Sequence, residues 1–185
     1  IVAATYLAAS AITGGEICLK NVNPRDMGAM LHVLLDMGVQ LRIEKDKIIQ
    51  KAPKKLESIH IVRTMPYPGF PTDMQAPMMA LALSLRGTSV FLETIFENRF
   101  MHAREMVRMG ASIRIEDRIA LVSGGHPLGG TSVTSTDLRG GAALMLCGLL
   151  AEGETTLHDP NGQIARGYED LPGMLRTLGA SVEEE

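Results

Sequence analysis

The sequence repeats one pattern of elements nearly three times, and this repetition limits the fold more than any other feature. Each copy has a small-residue apolar helix, a glycine, a short strand, a second helix ending in Met-Gly or Leu-Gly, and an alternating strand. Two sets of landmarks give nearly the same period, with spacings of 72 and 66 residues and of 72 and 69 residues. They are Gly15, Gly87 and Gly153, and Met37-Gly38, Met109-Gly110 and Leu178-Gly179. The chain therefore divides into unit one, unit two and unit three, at about residues 1–52, 56–123 and 131–185.

The first helix of each unit is apolar on every side, and such a helix is buried all round. We predict these helices over Ile1–Ile12, Met74–Leu85 and Leu138–Leu150. After the second helices, residues 39–44 and 111–116 alternate between apolar and polar side chains, which is typical of half-exposed strands. The pattern predicts one α/β (α+β) domain, an inside-out α/β barrel of about three βαβ-type repeats with outer sheets around buried helices. Unit three stops at Ala180-Ser181-Val182, before its last strands.

Composition narrows the class of protein. Of the 185 residues 45% are hydrophobic and 21% charged, which is typical of a globular chain, and the net charge of −3 offers no basic face for nucleic acid. No apolar run approaches the roughly 18–20 residues of a membrane span, so we expect a cytoplasmic protein without a membrane partner. Cys18 and Cys147 lie in apolar runs and are expected to be buried, reduced thiols. The chain begins inside a helical pattern and is expected to be part of a longer protein.

Two first helices begin with the same dipeptide. Thr72-Asp73 precedes Met74, and Thr136-Asp137 precedes Leu138. An N-cap aspartate explains either one, because it stabilises a helix by roughly 1 kcal/mol. However, Asp73 also follows three prolines within residues 66–71, and such backbone rigidity favours a functional site. Both interpretations of Asp73 stay open at this point.

Three arginines stand out beside these helix starts. Arg99 lies in a polar cluster ahead of the second helix of unit two, and Arg166 occupies the similar place in unit three. Arg139 lies in the first turn of an otherwise apolar helix. Equivalent loops of a repeated domain converge at one end, and arginine binds phosphate and carboxylate groups through two parallel hydrogen bonds. The sequence therefore predicts an anion-binding cleft with a carboxylate available for proton transfer.

These stretches carry a family resemblance that spans nearly the whole chain. They read FPTDMQA at residues 70–76, ETIFENRFMH at 93–102, TDLR at 136–139 and RGYE at 166–169. In order and spacing they resemble the UDP-N-acetylglucosamine 1-carboxyvinyltransferases, enolpyruvyl transferases of bacterial peptidoglycan synthesis. The resemblance implies two inside-out domains with substrates bound between them. This chain is then most of the C-terminal domain, and without its N-terminal partner domain it is expected to be inactive.

The resemblance also implies roles for particular residues. The substrates are UDP-N-acetylglucosamine and phosphoenolpyruvate, and neither a metal nor a cofactor is required. Asp73 is the carboxylate that contacts the sugar hydroxyl, with Thr72 beside it. Ile95 contacts the nucleotide sugar, and Phe96 lies next to it. The phosphoenolpyruvate side of the cleft is lined by Arg99, Asp137, Arg139 and Arg166, with Asp137 as a second catalytic carboxylate.

One departure from the family leaves alternatives open. Residues 162–165 read GQIA ahead of RGYE, where the family has a His-x-Asp type of approach. The surroundings of Arg166 therefore differ, as they would in a paralogue with altered substrate handling. Two other hypotheses for the function of the chain are a shikimate-pathway enolpyruvyl transferase and a non-catalytic module that binds a nucleotide sugar.

Overall fold

A computed structural model describes residues 1–184 as a mixed α/β fold. Unit one contains α1 (Val2–Thr13), β1 (Glu16–Lys20), a 3₁₀ turn (Pro24–Met27), α2 (Gly28–Asp36), β2 (Gln40–Ile43) and β3 (Lys47–Lys51). Unit two contains β4 (Ile61–Arg63), a 3₁₀ turn (Thr72–Met74), α3 (Gln75–Leu83), β5 (Gly87–Leu92), α4 (His102–Arg108), β6 (Ser112–Glu116) and β7 (Ile119–Gly124). Unit three contains β8 (Ser132–Thr134), α5 (Leu138–Leu150), β9 (Thr156–His158), a 3₁₀ turn (Ile164–Arg166) and α6 (Leu171–Thr177).

The first helix of each unit lies in the core, as its composition predicts. Every residue of α3 is buried, as are residues 4–12 of α1 and most of α5. These three helices contact one another, and the buried apolar side chains form one continuous cluster. The predicted bounds of α5 are confirmed, whereas α1 is shifted by one residue. Helix α3 is shorter than predicted at both ends, and its first turn is a 3₁₀ turn.

The strands form three sheets, one in each unit. Unit one has the order β1-β3-β2, unit two β4-β5-β7-β6, and unit three β8-β9. The pairs β4 with β5 and β8 with β9 are parallel, and the other pairs are antiparallel. Buried residues alternate with more exposed ones along β1, β3 and β7. The sheets therefore have one face toward the helices and one toward solvent.

The second helices end as the sequence predicts. Gly38, Gly110 and Gly179 follow α2, α4 and α6, and each has a positive φ, between 89° and 99°. A left-handed residue at this position allows the chain to leave the helix while the last carbonyl groups are satisfied. The strands that follow α2 and α4 are β2 and β6, and each forms an edge of its sheet.

Three features differ from the sequence predictions. Strands β4 and β8 have three residues each, a length too short to show the alternation from which a strand is predicted. The alternating pattern predicts that Ile43 and Ile115 face inward, yet both are exposed, because β2 and β6 are edge strands with a neighbouring strand on one side only. The prediction that Cys18 is buried is wrong, because the alternation of β1 turns Ile17 inward and Cys18 outward. Cys147 is buried, and burial raises the pKa of its thiol to about 12.

Unit three is more open than unit two. A groove of about 1150 Å³ runs beside α5, β9 and α6, and Leu149, Leu157 and Leu171 are among its lining residues. In unit two the corresponding strand β5 is covered on that edge by β7 and β6.

Among residues 1–184, no helix combines the length and the apolar character that crossing a membrane requires.

We predict that Gly124→Ala destabilises the fold. A Cβ atom at Gly124 would overlap the backbone carbonyl oxygens of Ala82 and Leu85. Backbone atoms of a buried helix and its last turn cannot retreat as a flexible side chain does, so we expect a loss of about 1–3 kcal/mol of unfolding free energy in urea denaturation. Gly28→Ala is the matched control, since no atom lies within 4 Å of the added Cβ. Equal stability of the two variants would contradict the close approach of β7 to α3.

Candidate active site

Asp73 lies where units two and three meet, and both of its carboxylate oxygens are engaged. Oδ1 accepts a hydrogen bond from Arg99 Nη2 at 3.1 Å. Oδ2 accepts from Arg139 Nε at 3.2 Å and lies 3.2 Å from Arg139 Nη2. We call Asp73, Arg99 and Arg139 the arginine clamp. Two arginines from different units therefore meet on one carboxylate, as predicted from the convergence of equivalent loops.

The N-cap interpretation of Asp73 is wrong. The residue that precedes the 3₁₀ turn is Pro71, and Asp73 lies inside the turn, with its carboxylate directed to the arginines. For Asp137 the N-cap interpretation is confirmed. Its Oδ1 accepts from the backbone amides of Arg139 at 2.9 Å and Gly140 at 3.0 Å. The cap fixes the first turn of α5, from which the Arg139 side chain extends to Asp73.

Arg139 is held from several sides and is 12% exposed. Its guanidinium carbon lies 5.1 Å from the centre of the Tyr168 ring, which is a cation–π contact. The Tyr168 hydroxyl is 2.9 Å from Thr5 Oγ1 of α1, so unit one supports the clamp as well. Gly167 leaves room for the guanidinium, because a Cβ there would lie 2.8 Å from Nη1. That Nη1 is buried and has no hydrogen-bond partner among residues 1–184, which leaves its two N–H donors available.

Arg99 lies in the loop between β5 and α4. The loop turns at Asn98, which has a φ of 53°, a value that asparagine tolerates better than most residues. The Arg99 guanidinium carbon is 5.4 Å from the centre of the Phe96 ring, and its side chain is 20% exposed. Phe96 itself is half exposed. The aromatic contact and the ion pair together orient Arg99 across the start of α3.

Arg166 is placed next to this cluster but not in it. It ends the 3₁₀ turn before Gly167, it is exposed, and the ion pairs of Asp73 are made by Arg99 and Arg139. Its neighbour Gly167 contacts Arg139. Arg166 therefore lies beside the clamp with its guanidinium free of Asp73.

A small hollow opens beside Asp73. It has a volume of about 290 Å³, and Ile95 forms part of its wall. Its other lining residues include Met65, Pro66, Tyr67, Pro71, Thr72 and Asp73. Ile95, Thr72 and Asp73, three residues singled out in the sequence, therefore share one hollow. We refer to it as the Asp73 hollow.

Sequence reasoning missed three buried polar residues around the clamp. The Tyr168 ring packs against the Arg139 guanidinium, and Glu93 accepts hydrogen bonds from the loops of the Asp73 hollow. His102 is fully buried, and neither of its ring nitrogens has a hydrogen-bond partner in the described part of the chain. All three lie within the family-like stretches, but a sequence alone does not show which of their side chains turn inward. For Glu93 a signal did exist, since it directly follows the apolar run Val90-Phe91-Leu92 of a strand.

The charge of His102 is set mainly by its burial. Loss of hydration lowers its pKa from 6.5 to about 4, while nearby Asp137 opposes this shift and nearby Arg99 adds to it. The imidazole is therefore neutral at physiological pH. Elsewhere in residues 1–184, no group of three or more His, Cys, Asp or Glu side chains lies close enough together to hold a metal ion.

Comparison with known proteins places the chain in a family. A model of the family "EPSP synthase (3-phosphoshikimate 1-carboxyvinyltransferase)" matches residues 1–175. The chain belongs to this family of enolpyruvyl transferases, and within it to the branch of the UDP-N-acetylglucosamine 1-carboxyvinyltransferases. It is 49% identical over 182 residues to such a protein of Desulfofundulus thermocisternus, which covers 98% of this chain and 74% of that protein. It is 48% identical over 182 residues to UDP-N-acetylglucosamine 1-carboxyvinyltransferase 2 of Clostridium tetani.

Solved structures agree on the fold. The enolpyruvyl transferase NikO from Streptomyces tendae superposes with a TM-score of 0.88 at 26% identity, over 98% of this chain and 43% of that one. An EPSP synthase from Acinetobacter baumannii superposes with a TM-score of 0.73 at 22% identity, over 99% and 46% of the two chains. The chain also spans 43% of the length of the Clostridium tetani relative. These matches confirm the enolpyruvyl transferase fold that the sequence resemblance implies.

We predict that the His102 imidazole does not take up a proton until the pH falls well below 6. The unfolded chain binds that proton near pH 6.5 and the folded chain near pH 4, so the free energy of unfolding decreases as the pH falls through this window, by at most about 3 kcal/mol. Proton NMR of the histidine Cε1–H signals over pH 4–8 measures this directly, and the signal absent from His102→Gln identifies His102. Titration of that signal near pH 6.5 would contradict the buried, neutral state.

Proposed function

We propose that the whole protein transfers the enolpyruvyl group of phosphoenolpyruvate to the 3-hydroxyl of UDP-N-acetylglucosamine and releases phosphate, a reaction of peptidoglycan synthesis. The observation that carries this proposal is the arginine clamp, in which Asp73 lies between Arg99 and Arg139 beside an open hollow. A carboxylate for proton transfer and two guanidinium groups for anions are the groups that this reaction needs at one place. The names of the relatives support the identity of the nucleotide sugar.

The arginines are proposed to bind the charged groups of phosphoenolpyruvate. Within residues 1–184 the buried Nη1 of Arg139 has no hydrogen-bond partner, and such a donor favours binding of an anion there. Arg99 shares Asp73 with it, the exposed Arg166 precedes Gly167, which packs against Arg139, and both supply further guanidinium groups. Fixed cations stabilise the charge that develops as the phosphate leaves.

Asp73 is proposed to accept the proton of the sugar hydroxyl. In the structure its two oxygens are taken up by the arginines. When the carboxylate and phosphate of phosphoenolpyruvate bind to those arginines, they replace Asp73 as the partner of the guanidinium groups. The Asp73 oxygens are then free to take a hydrogen bond from the hydroxyl in the Asp73 hollow, where Thr72, Ile95 and Phe96 are proposed to contact the nucleotide sugar.

The proposed chemistry has two steps. First the 3-hydroxyl oxygen bonds to C2 of phosphoenolpyruvate, its proton passes to a carboxylate, and C3 gains a proton, which gives a tetrahedral ketal. Then C3 loses a proton, the C2–O bond to phosphate breaks, and the enol ether forms. Asp137 is proposed as the second carboxylate that exchanges a proton, through the oxygen that does not cap α5.

We also propose that residues 1–185 are most of one domain, an inside-out barrel of three repeats, which works together with a second domain. Two observations support this arrangement. The relative from Clostridium tetani is more than twice as long as the matched region. In addition, the sheet of unit three has two strands where unit two has four, and the groove beside β9 offers the place for further strands of the same protein.

We expect Asp73→Asn in the full-length protein to lower turnover on the order of 10²-fold or more, the usual range for loss of a general base. Phosphate release from phosphoenolpyruvate in the presence of UDP-N-acetylglucosamine is the measurement. The same chemical change at Asp117, an exposed turn residue with a φ of 50°, is the matched control and should leave turnover intact.

Three results would contradict the proposal. They are full activity of Asp73→Asn, absence of phosphate release by the wild type with UDP-N-acetylglucosamine, and faster release with 3-phosphoshikimate as the acceptor. The last result would identify the acceptor as that of the shikimate pathway instead.

A further inference from the structure

Glu93 is a buried carboxylate whose hydrogen-bond partners are all neutral. It directly follows β5, and 1% of its surface is exposed. Oε1 accepts from Thr64 Oγ1 at 2.9 Å, from the Ile95 amide at 2.8 Å and from the Phe96 amide at 3.1 Å. Oε2 accepts from Thr72 Oγ1 at 2.8 Å. Four donors thus converge on one side chain, which is what a buried carboxylate needs in order to remain stable in a folded chain.

The four donors come from different segments of unit two. Thr64 follows strand β4, and its hydroxyl also accepts from the Thr94 amide at 2.8 Å. Ile95 and Phe96 begin the loop that leads to Arg99. Thr72 belongs to the proline-rich loop and precedes Asp73. Glu93 is therefore the point at which both walls of the Asp73 hollow are tied to the sheet.

The two carboxylate oxygens hold separate walls. Oε2 bonds to Thr72 and so to the segment that carries Asp73. Oε1 accepts from Ile95, which lines the hollow on the other side, and from Phe96 and Thr64 behind it in the hydrogen-bond network. Because the carboxylate is planar and rigid, it fixes the separation of the two segments. Hydrogen bonds to an ionised acceptor are stronger than those between neutral groups, so this separation is held firmly.

We propose that Glu93 is a positioning residue of the enolpyruvyl transfer, with one carboxylate oxygen for each wall of the hollow. This inference rests on the proposed function. Oε2 sets the position of Asp73 against the sugar hydroxyl, so loss of its contact slows the chemical step. Oε1 sets the position of the wall that contains Ile95, so loss of its contact weakens binding of the nucleotide sugar. Glu93 itself touches neither substrate.

Paired threonine variants of the full-length protein separate the two effects. Thr72→Val removes the donor to Oε2, and we expect a 10- to 100-fold lower kcat. The KM for UDP-N-acetylglucosamine should stay within threefold of wild type, because the hydroxyl that is lost bonds to Glu93 and valine keeps the side-chain shape with which Thr72 is proposed to contact the nucleotide sugar. Thr64→Val removes a donor to Oε1, and we expect a KM about tenfold higher with kcat within threefold. Thr72→Ser keeps the hydroxyl and should have a kcat at least fivefold above that of Thr72→Val. Glu93→Gln weakens both contacts and should change both constants.

Thr88→Val is the matched control. Thr88 is exposed and lies near the start of β5, at the opposite end of the strand from Glu93, so this variant should keep wild-type constants. Thermal melting of each variant separates positioning from folding. If Thr72→Val and Thr64→Val alter the same constant, or change melting temperature alone, the inference is overturned while the proposed function stands. If the wild type releases no phosphate from the two substrates, the proposed function fails and the inference fails with it.

Discussion

The contact of the Asp73 carboxylate with Arg99 and Arg139 is the interaction on which the candidate site depends. It joins unit two to unit three at the ends of their central helices. Tyr168 extends the connection to Thr5, so residues from all three units support one cluster. The guanidinium groups of Arg99 and Arg139 are largely shielded from water, where a charge is costly unless it is paired, and the more exposed Asp73 supplies the partner of both. The cluster is thus kept in order by its own charges.

Small residues allow these groups to come together. A Cβ at Gly141 would lie 2.5 Å from Ser135 Oγ, and one at Gly167 would lie 2.5 Å from Leu138 Cδ1. The start of α5 is therefore packed closely against the chain on either side of it, and the Arg139 backbone has little freedom. The same closeness explains why a helix in the centre of the fold begins with glycines, which otherwise weaken helices. The small residues around the start of α5 therefore allow close packing and also fix the position of the Arg139 charge.

Much of the fold can be predicted from the sequence, because its clearest patterns, the apolar helices, each extend over many residues. The 13 residues of α5 are apolar almost all round, and the predicted bounds of this helix match the structure. The convergence of Arg99 and Arg139 also follows from the repeats. In contrast, β4 and β8 are too short for any periodicity, and Cys18 follows the alternation of its strand instead of the apolar character of its neighbours.

The members of the site are easier to predict from the sequence than their contacts. Asp137 and Asp73 follow the same residue, threonine, yet one caps a helix and the other pairs with arginines, because a 3₁₀ turn moves Asp73 out of the capping position. The roles of Glu93 and His102 depend on which side chains turn inward between elements that are distant in sequence. Such long-range packing leaves no local pattern at His102, and the apolar run before Glu93 indicates its place after a strand but not its hydrogen-bond partners.

A double-mutant cycle between Asp73 and Arg139 tests the central claim most directly. Urea denaturation of the 185-residue chain would be measured for wild type, Asp73→Asn, Arg139→Gln and the double variant. If the two side chains hold each other, their effects on the free energy of unfolding are not additive, and we predict a coupling of about 0.5–2 kcal/mol, as for residues in contact. Effects that add to within about 0.3 kcal/mol would show that the two groups are independent, and would contradict the arginine clamp as the interaction that holds the site together.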